Sequence, residues 1–561
     1  MKYRIRSSQM ILPYEKLVRY TYNKLGLGAT MSDVLVNRNM SYKDINNLLT
    51  NPQGCLKTDS LNVSGCLDVC ESILNMINSN KDIVIFADYD ADGLMSGQIM
   101  TRYLNDQGAK VRAYYPERSE GYGLSLKFVK TLGKDNAVIT VDNGITANAA
   151  IDYCKRNNIL VAITDHHEPG KVIPDIPTCD PWLGNVGHEF CGAVVALKVC
   201  EELDRLMGTD FAKNYYCYAA IGTVADVMPL TLENQAIVNI GIQQIKDGLA
   251  PNILEFVKAL RLPDLSSTDI AWKVGPELNA CSRMGNVKLA ADFLSSTGSK
   301  VEVQKLIQQI DQLNEVRKKL TKEALADASE FDYSDDAFCL FDAVDYPVGI
   351  SGIIANKLME KYNKPAIVYK SNTGAVWSGS LRSPGINVLP LLEREVEQGH
   401  IISYGGHAQA CGINLLPDLE SFRDSFNASL REALKDYQSP ESIIYVDSEI
   451  MHSAVNKKTL LDLNKVPTDT ETFPAPKFVI KSAVIDGVRF SKNNPDNICL
   501  SIIDRTGAKR EYWGWGMADE YNKIKSLNTV DVIGSLSWGF GNEQGQATFI
   551  VEGFSKPEVT E

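Results

Sequence analysis

The 561-residue chain has no C-x-x-C pair among its twelve cysteines, no apolar run close to membrane-span length, and no internal repeat or low-complexity tract. Scattered cysteines without a recurrent spacing exclude a cysteine-based zinc site and argue for reduced thiols in a cytoplasmic setting. Short apolar runs exclude a spanning helix, so no membrane association is expected. The N-terminus, MKYRIRSSQMILPYEKLVRY, holds basic residues but no sustained apolar core, and is not read as a signal peptide. A global basic excess is missing too. The net charge of −13 argues against a nonspecific coat for nucleic acid. It leaves room for a local basic channel, because phosphate contact depends on the field at the site. Lys2, Arg4, Arg6, Lys16, Arg19 and Lys24 against Glu15 form one local excess, which reads equally as a solvated basic tail.

What the chain does have is an ordinary globular composition, 44% hydrophobic and 23% charged with a mean hydropathy of −0.15. Its length predicts about three or four domains. From 83 to about 230, strand-like apolar runs alternate with amphipathic helical stretches, the pattern of a parallel α/β sheet. The expected strands are Ile83–Ala87, Val111–Tyr115, Ala137–Val141 and Leu160–Ile163. Residues 300–330 have helical periodicity with no glycine or proline and predict a long connecting helix. A second α/β block follows over about 336–436, with strands near Ala337–Phe341 and Ala366–Tyr369. Beyond Pro440, the segments Phe478–Ile485, Ile498–Ile503, Glu511–Trp515, Val530–Leu536 and Ala547–Val551 predict a small all-β domain, an OB-like barrel.

Three expected strands of the first block end in polar chemistry. Asp88, Asp90 and Asp92 follow the first, Asp142 the third, and Asp165-His166-His167 the fourth. In open α/β sheets ligands gather outside the carboxyl ends of the strands, so these residues can converge. Like charges at alternate positions raise one another's pKa, and a divalent cation relieves the repulsion; oxygen ligands suit Mg²⁺ or Mn²⁺. One D-x-D alone would read as well as a solvated acidic turn. Adjacent histidines at a strand end are harder to explain so, since imidazole binds Mn²⁺ and a neighbouring carboxylate fixes its tautomer. Asp226 stands in an otherwise apolar stretch, where an unpaired carboxylate is costly without a cation or donors. Together these acids suffice for a two-metal centre attacking phosphorus with an activated water.

The combination D-Y-D-A-D-G, V-D-N-G, D-H-H and G-T-V-A-D-V-M-P-L resembles the DHH phosphoesterase superfamily, and within it the RecJ-type single-strand DNA exonucleases. Supporting segments are Pro116–Gly123, Val274–Gly285, Gly379–Ser383 and Gly405–Gly412, with a fainter likeness at Phe473–Phe478. The resemblance implies a parallel-sheet DHH domain at 76–299 and a connecting helix at 300–335. It further implies a smaller DHH-associated α/β domain at 336–437 and an OB-like nucleic-acid-binding domain at 438–561, preceded by an extension at 1–75 packed on the core. It implies two Mn²⁺ or Mg²⁺ ions: Asp90, Asp142, His166 and Asp226 would hold one, and Asp88 with Asp142 the second. His167 would contact the scissile phosphate, Asp165 would orient the histidine pair, and Asp92 would tune the site. Arg118, Arg283, Ser380 and Arg382 would bind the 5′-terminal phosphate and adjoining DNA, and His407, on a glycine-rich turn, would approach the backbone.

Departures from the family pattern leave those ligands untouched: Glu277 for an arginine, Cys281-Ser282 for smaller residues, Asp345 for a histidine, and a turn at 466–473 without glycines. In the barrel, Tyr512, Trp513, Trp515, Trp538 and Phe540 are read as core or as base-stacking platforms. Lys477, Lys481, Arg489, Lys492, Arg505, Lys509 and Arg510 nearby favour nucleic-acid contact. The expectation is a monomeric exonuclease that degrades single-stranded DNA from 5′ to 3′ to mononucleotides, in recombination, repair or replication, beside a helicase or single-strand-binding protein. The alternatives are a DHH phosphodiesterase on short oligoribonucleotides or cyclic dinucleotides, and a non-catalytic single-strand-binding scaffold.

Overall fold

The computed structural model describes residues 2–7, 12–371, 374–435, 443–470, 472–539 and 545–557. Strand β1 (Lys2–Ile5) and three helices (Leu12–Lys24, Ala29–Asn37, Tyr42–Thr50) open the chain. The first sheet is parallel throughout, in the order β3-β2-β4-β5-β6, with β2 Asp82–Ala87, β3 Val111–Tyr114, β4 Asn136–Val141, β5 Leu160–Thr164 and β6 Thr178–Cys179. Apart from their first residues, β2 and β4 are buried throughout, as expected for strands covered on both faces. Helices Cys66–Asn78, Ala91–Asp106, Gly192–Met207 and Tyr216–Ala225 pack into the main hydrophobic core on one face. The short β6 escaped sequence reading because two residues carry no period.

The helix Lys300–Ala328 opens with a capping box between Ser299 and Glu302 and runs to the second block. There a sheet of order β10-β11-β9-β8-β7 assembles from β7 Cys339–Asp342, β8 Ala366–Tyr369, β9 Trp377–Arg382, β10 Ile401–His407 and β11 Ala410–Leu415. Only β7 and β8 are parallel; β9, β10 and β11 join antiparallel. Strand β7 begins two residues later than expected, because the Ala337 N–H donates to the Asn427 side chain (2.7 Å) instead of to the ladder. Strands β9 to β11 are not read from the sequence, because their glycines interrupt the apolar pattern. Gly379 is needed within its strand, since a Cβ there would lie 3.0 Å from the Val368 carbonyl. His407 accordingly ends β10, paired with Ala410, rather than sitting on a turn.

The C-terminal sheet closes on itself. β14 (Lys477–Phe490), β15 (Ile498–Ile503), β16 (Lys509–Gly514), β18 (Ala547–Ser555) and β17 (Val530–Trp538) follow one another, and β17 returns to β14. Strand β14 is longer than the sequence predicts because it bends: its register shifts between Ile480 and Ala483 against β17, and between Ile485 and Gly487 against β15. The three N-terminal helices share a core with this barrel, where Val18, Tyr22, Leu35 and Ile45 join Phe478, Leu500, Val532 and Phe549. Strand β1 pairs in parallel with β12 (Ile443–Val446), and the short β13 (Ser448–Glu449) pairs in parallel with the start of β14. The first three helices therefore share the barrel's core, while Val63, Cys66, Val69, Cys70 and Ile73 of the same extension join the main core of the first block. Its basic excess is partly matched by acids, with Arg6 3.5 Å from Asp447 and Arg19 3.1 Å from Asp33. The turn before the barrel is latched to the first block. Leu230 N–H donates to Asp469 (2.7 Å) and Thr468 N–H to the Ser267 hydroxyl (3.0 Å).

Candidate metal centre

The acids and histidines converge as strand-end geometry requires. Asp88 and Asp90 leave β2, with Asp90 capping the next helix through the Gly93 N–H (3.0 Å). Asp142 leaves β4 with φ at +61°, a left-handed conformation that turns its carboxylate back over the sheet edge. Asp165-His166-His167 leave β5, and Asp226 ends the helix Tyr216–Ala225. His166 Nε2 lies 3.1 Å from Asp142, 3.7 Å from Asp226 and 3.9 Å from Asp92. Three sets each place their ligand atoms within 4.8 Å of one another: Asp88/Asp90/Asp142, Asp142/His166/His167 and Asp92/His166/Asp226. Asp142 and His166 each belong to two sets, so the clusters are joined.

The electrostatics ask for a cation. Asp88, Asp142 and Asp226 are held well above the usual carboxylate range, first by burial and then by Asp90 or Asp92, with further repulsion from Asp88 at Asp142 and Asp226. One oxygen each of Asp88 and Asp142 is buried without a hydrogen-bond partner among the described residues. Orphaned buried carboxylate oxygens are expensive unless something positive meets them. Burial pushes His166 down to about 4, leaving its ring neutral and able to donate a lone pair. Hard carboxylate oxygens with one or two imidazoles fit Mn²⁺ or Mg²⁺, and the shared Asp142 suits a pair of ions.

Asp165 is the organiser. Its Oδ1 accepts from the backbone N–H of His166 (2.8 Å) and His167 (3.3 Å) and meets the His167 ring (2.8 Å); its Oδ2 accepts from Ile145 N–H (2.9 Å). Burial opposes a charge on His167, yet the bond and charge of Asp165 prevail and raise it to about 9. In the metal-free protein this favours the protonated ring, which is partly accessible. Asp92 is fully inside. Its two oxygens accept from Gly192 N–H (2.7 Å) and Ala193 N–H (3.1 Å) at a helix N-terminus, which places it beside His166 and Asp226. Burial, then Asp90, raises it to about 6.

Sequence reasoning passed over the residues that let these groups approach. A Cβ on Gly192 would lie 2.6 Å from the Asp142 side chain, and one on Gly222 would lie 2.2 Å from Asp92. Gly222 stood inside a quoted motif; Gly192 gave no signal at all. The Asn143 amide ties the carbonyls of Phe86 (3.1 Å) and Val141 (2.9 Å), locking the ends of β2 and β4 together. The Tyr122 hydroxyl reaches His167 (3.1 Å), and Ala91 N–H donates to Asn279 (2.9 Å).

A cationic pocket lies where the two α/β blocks meet. The Arg283 guanidinium donates to the Gly349 carbonyl (3.2 Å), and a Cβ on Gly349 would lie 2.2 Å from the Arg283 carbonyl, so the backbones touch. Gly352 similarly leaves room for the Arg382 guanidinium, 2.9 Å from where its Cβ would stand, with Ser380 Oγ at 3.6 Å. Arg118 lies over the Tyr89 ring (4.2 Å) and donates to Ser282 (3.2 Å). Burial, then the charges of Arg118, Arg317 and Arg382, lowers Arg283 to about 10, still cationic at neutral pH. None of Arg118, Arg283 and Arg382 has a carboxylate partner among the described residues. The buried hydroxyls of Ser351 and Ser383 also lack partners there. Glu277, the departure from the family pattern, points the other way, accepting from Asn314 on the long helix.

The barrel divides its aromatics. Tyr512 is core, hydrogen-bonded to His452 (2.9 Å), whereas Trp513 and Trp515 stack on each other at 5.4 Å, the latter half exposed. Trp538 is partly buried; Phe540 lies outside the described residues. The basic residues are less available than the sequence implied. Lys477 pairs with Glu552 (2.9 Å), Arg505 with Glu449 (3.2 Å), Arg489 with Glu511 and Lys509 with Asp486. Cross-strand partners in a closed barrel supply those acids, which strand periodicity could not reveal.

Family models described as the DHH family N-terminal domain and the DHHA1 domain match residues 82–223 and 336–436. The single-stranded-DNA-specific exonuclease RecJ of Bacillus subtilis is 26% identical, covering 96% of this chain and 70% of its own. That of Thermus thermophilus is 30% identical over 63% of this chain and 52% of its own. The crystal structure of Thermus thermophilus RecJ with Mn²⁺ superposes with a TM-score of 0.81 at 23% identity, covering all of this chain and 80% of that one. A crystal structure of exonuclease RecJ bound to manganese gives 0.60 at 27% identity, over 68% of this chain and 99% of that one.

Proposed function

The chain is a RecJ-type DHH protein, and from that premise we propose that it is a metal-dependent exonuclease that removes mononucleotides from single-stranded DNA, from the 5′ end. One observation carries the reading: the joined carboxylate–histidine clusters share Asp142 and His166 and lie within electrostatic reach of Arg118 and Arg283, guanidinium groups with no carboxylate partner among the described residues.

Two divalent ions bound there would supply an activated water and stabilise the charge that develops on the reacting oxygens. Asp88, Asp90 and Asp142 would hold one, so that Asp90 sides with Asp88 and not with the His166 set the family resemblance implied. Asp142, His166 and Asp226 would hold the other, with Asp92 fixing the second set from the helix N-terminus. His167, oriented by Asp165, would donate to a non-bridging oxygen of the scissile phosphate and stabilise the charge that grows there. Tyr122 would hold the His167 ring in that direction. Arg283, Arg382 and Ser380 would grip a terminal phosphate and so fix which bond reaches the centre; planar guanidinium groups suit phosphate oxygens. Arg118 would contact the adjoining strand and His407 its backbone. A narrow passage between the two α/β blocks would exclude a duplex.

Digestion of 5′- and 3′-labelled single strands with Mn²⁺ tests the polarity: label should leave the 5′ end at once and the 3′ end only late. Release from the 3′ end first would sink it. Arg382→Ala should cost roughly 10- to 100-fold in kcat/KM on 5′-phosphorylated strands, the worth of a charged hydrogen bond, and little on 5′-hydroxyl strands. Equal losses on both would remove Arg382 from the phosphate pocket. We also assign the protein to the cytoplasm, a reading supported by twelve free cysteines, all buried, and take it to act as a monomer. A strand-separating enzyme or a single-strand-binding protein would supply the substrate, since duplex DNA offers no free strand.

A further inference from the structure

Trp182 is an exposed aromatic with a directed polar contact, and nothing above uses it. Its ring is 43% accessible, yet its indole N–H donates to the main-chain carbonyl of His166 at 2.9 Å. A rigid route brings it there. Strand β6 runs beside β5, with Asp165 N–H donating to the Cys179 carbonyl (3.0 Å). Asp180 N–H donates to the Ser64 carbonyl (3.1 Å), and the Asp180 carboxylate caps the turn Pro181–Leu183 by accepting the Trp182 N–H (2.9 Å). The ring then lies flat against His188, 5.0 Å between centroids and 18° between planes, while His188 Nε2 meets the Gly184 carbonyl (3.0 Å). The indole is thus fixed by its own turn before it reaches the histidine pair.

We infer that Trp182 is a positioning residue of the metal centre, its indole N–H fixing the peptide between His166 and His167 so that the two imidazoles diverge to separate tasks. The carbonyl of that peptide is held by Trp182 and its N–H by Asp165 Oδ1, so the plane is pinned from both ends. The rings leave it at 59° to one another, 4.4 Å between centroids: His166 toward Asp142 and Asp226, His167 toward Asp165 and Tyr122. With the carbonyl released, the plane can rotate, and His166 loses the fixed direction that makes its lone pair a good ligand. Partners that orient a metal-binding histidine are worth roughly 10- to 100-fold in metal affinity or activity. The inference rests on His166 being a metal-site residue, as proposed above.

Trp182→Phe keeps an aromatic ring against His188 and leaves the Asp180 cap, whose carboxylate accepts the main-chain N–H of residue 182, but deletes the indole N–H. Calorimetric titration of the metal-stripped protein with Mn²⁺ should show affinity reduced roughly tenfold. Thermal unfolding of the metal-free variant should match wild type, as expected for a half-exposed side chain outside the core. With DNA, kcat should fall while KM for the strand stays constant, because the arginine pocket is untouched. Mn²⁺ affinity within about twofold of wild type would overturn the inference. So would an affinity loss matched by an equal loss of metal-free stability, which would mark Trp182 as merely structural. His166→Ala serves as the control. If it binds Mn²⁺ as wild type does, the metal-site reading itself fails; if it loses binding while Trp182→Phe does not, only the role of Trp182 falls.

Discussion

Asp142→Asn should abolish metal-dependent turnover, by about a thousandfold or more, while making the metal-free protein more stable than wild type. Asp142 stands in two of the three ligand sets, so its loss weakens the whole centre. If the metal pair contributes several kcal/mol of transition-state stabilisation, losing about 4 kcal/mol of it gives that factor. Asparagine tolerates the left-handed backbone at this position, so the fold has no steric reason to change. The opposite effect on stability follows from charge. Asp88, Asp142 and Asp226 are each pushed up by burial and by neighbouring carboxylates, and the substitution removes one of these charges. The sign follows from linkage: a carboxyl raised in the folded state binds its proton more tightly there than in the unfolded chain. Its contribution is full below the unfolded value of 3.8 and is lost as pH rises through the folded value, which for Asp92 is about 6. Metal-free wild type should therefore lose stability between about pH 4 and pH 6 and beyond, less steeply in Asp142→Asn, and added Mn²⁺ should flatten the profile. Melting curves across that range, with and without Mn²⁺, together with a turnover assay, check all three statements. Retained turnover in the variant would remove Asp142 from the centre.

Asp447→Ala should destabilise the union of the N-terminal helices with the barrel by about 3–5 kcal/mol, the usual cost of leaving a buried charge without its partner. Arg38 and Asp447 are both nearly inaccessible and meet through two bonds of 2.6 and 2.8 Å, with the guanidinium lying over Phe473 at 4.3 Å. The same carboxylate accepts Lys477 N–H (3.0 Å) at the start of β14, while the Asp447 carbonyl accepts from Asn37 (2.7 Å). One residue thus joins the second N-terminal helix to the first strand of the barrel. Urea unfolding followed by the fluorescence of Trp513, Trp515 and Trp538 should show the barrel transition moved to lower concentration. Exonuclease activity in the absence of urea should change far less, because the ion pair lies outside the metal centre. An unmoved transition would mean that the shared apolar core alone holds the two parts together.

Much of the first block was legible in the sequence because its strands are covered on both faces and read as unbroken apolar runs. Ile83–Ala87, Ala137–Val141 and Leu160–Ile163 all fall inside β2, β4 and β5, and Ile498–Ile503 coincides with β15. The second block was read only in part, since Gly379, Gly405, Gly406 and Gly412 lie within strands that local rules take for turns. Close backbone approach, which glycine permits, is a property of the neighbour as much as of the residue itself. The same holds for Gly192 and Gly222 at the metal centre, and for the barrel cations whose cross-strand partners are distant in sequence.

The sequence by itself determined the chemistry offered: which strands end in carboxylates, where two histidines stand together, and which arginines and serines could meet a phosphate. Strand ends in a parallel sheet share one edge, so those residues had to converge once the sheet formed. Tertiary structure alone decided how they are divided. It placed Asp92 against a helix N-terminus beside His166, gave Asp142 to two ligand sets, joined the arginines across the seam between blocks, and brought Trp182 to the His166 carbonyl. Those choices depend on distances between segments far apart in the chain, and local pattern carries no information about such distances.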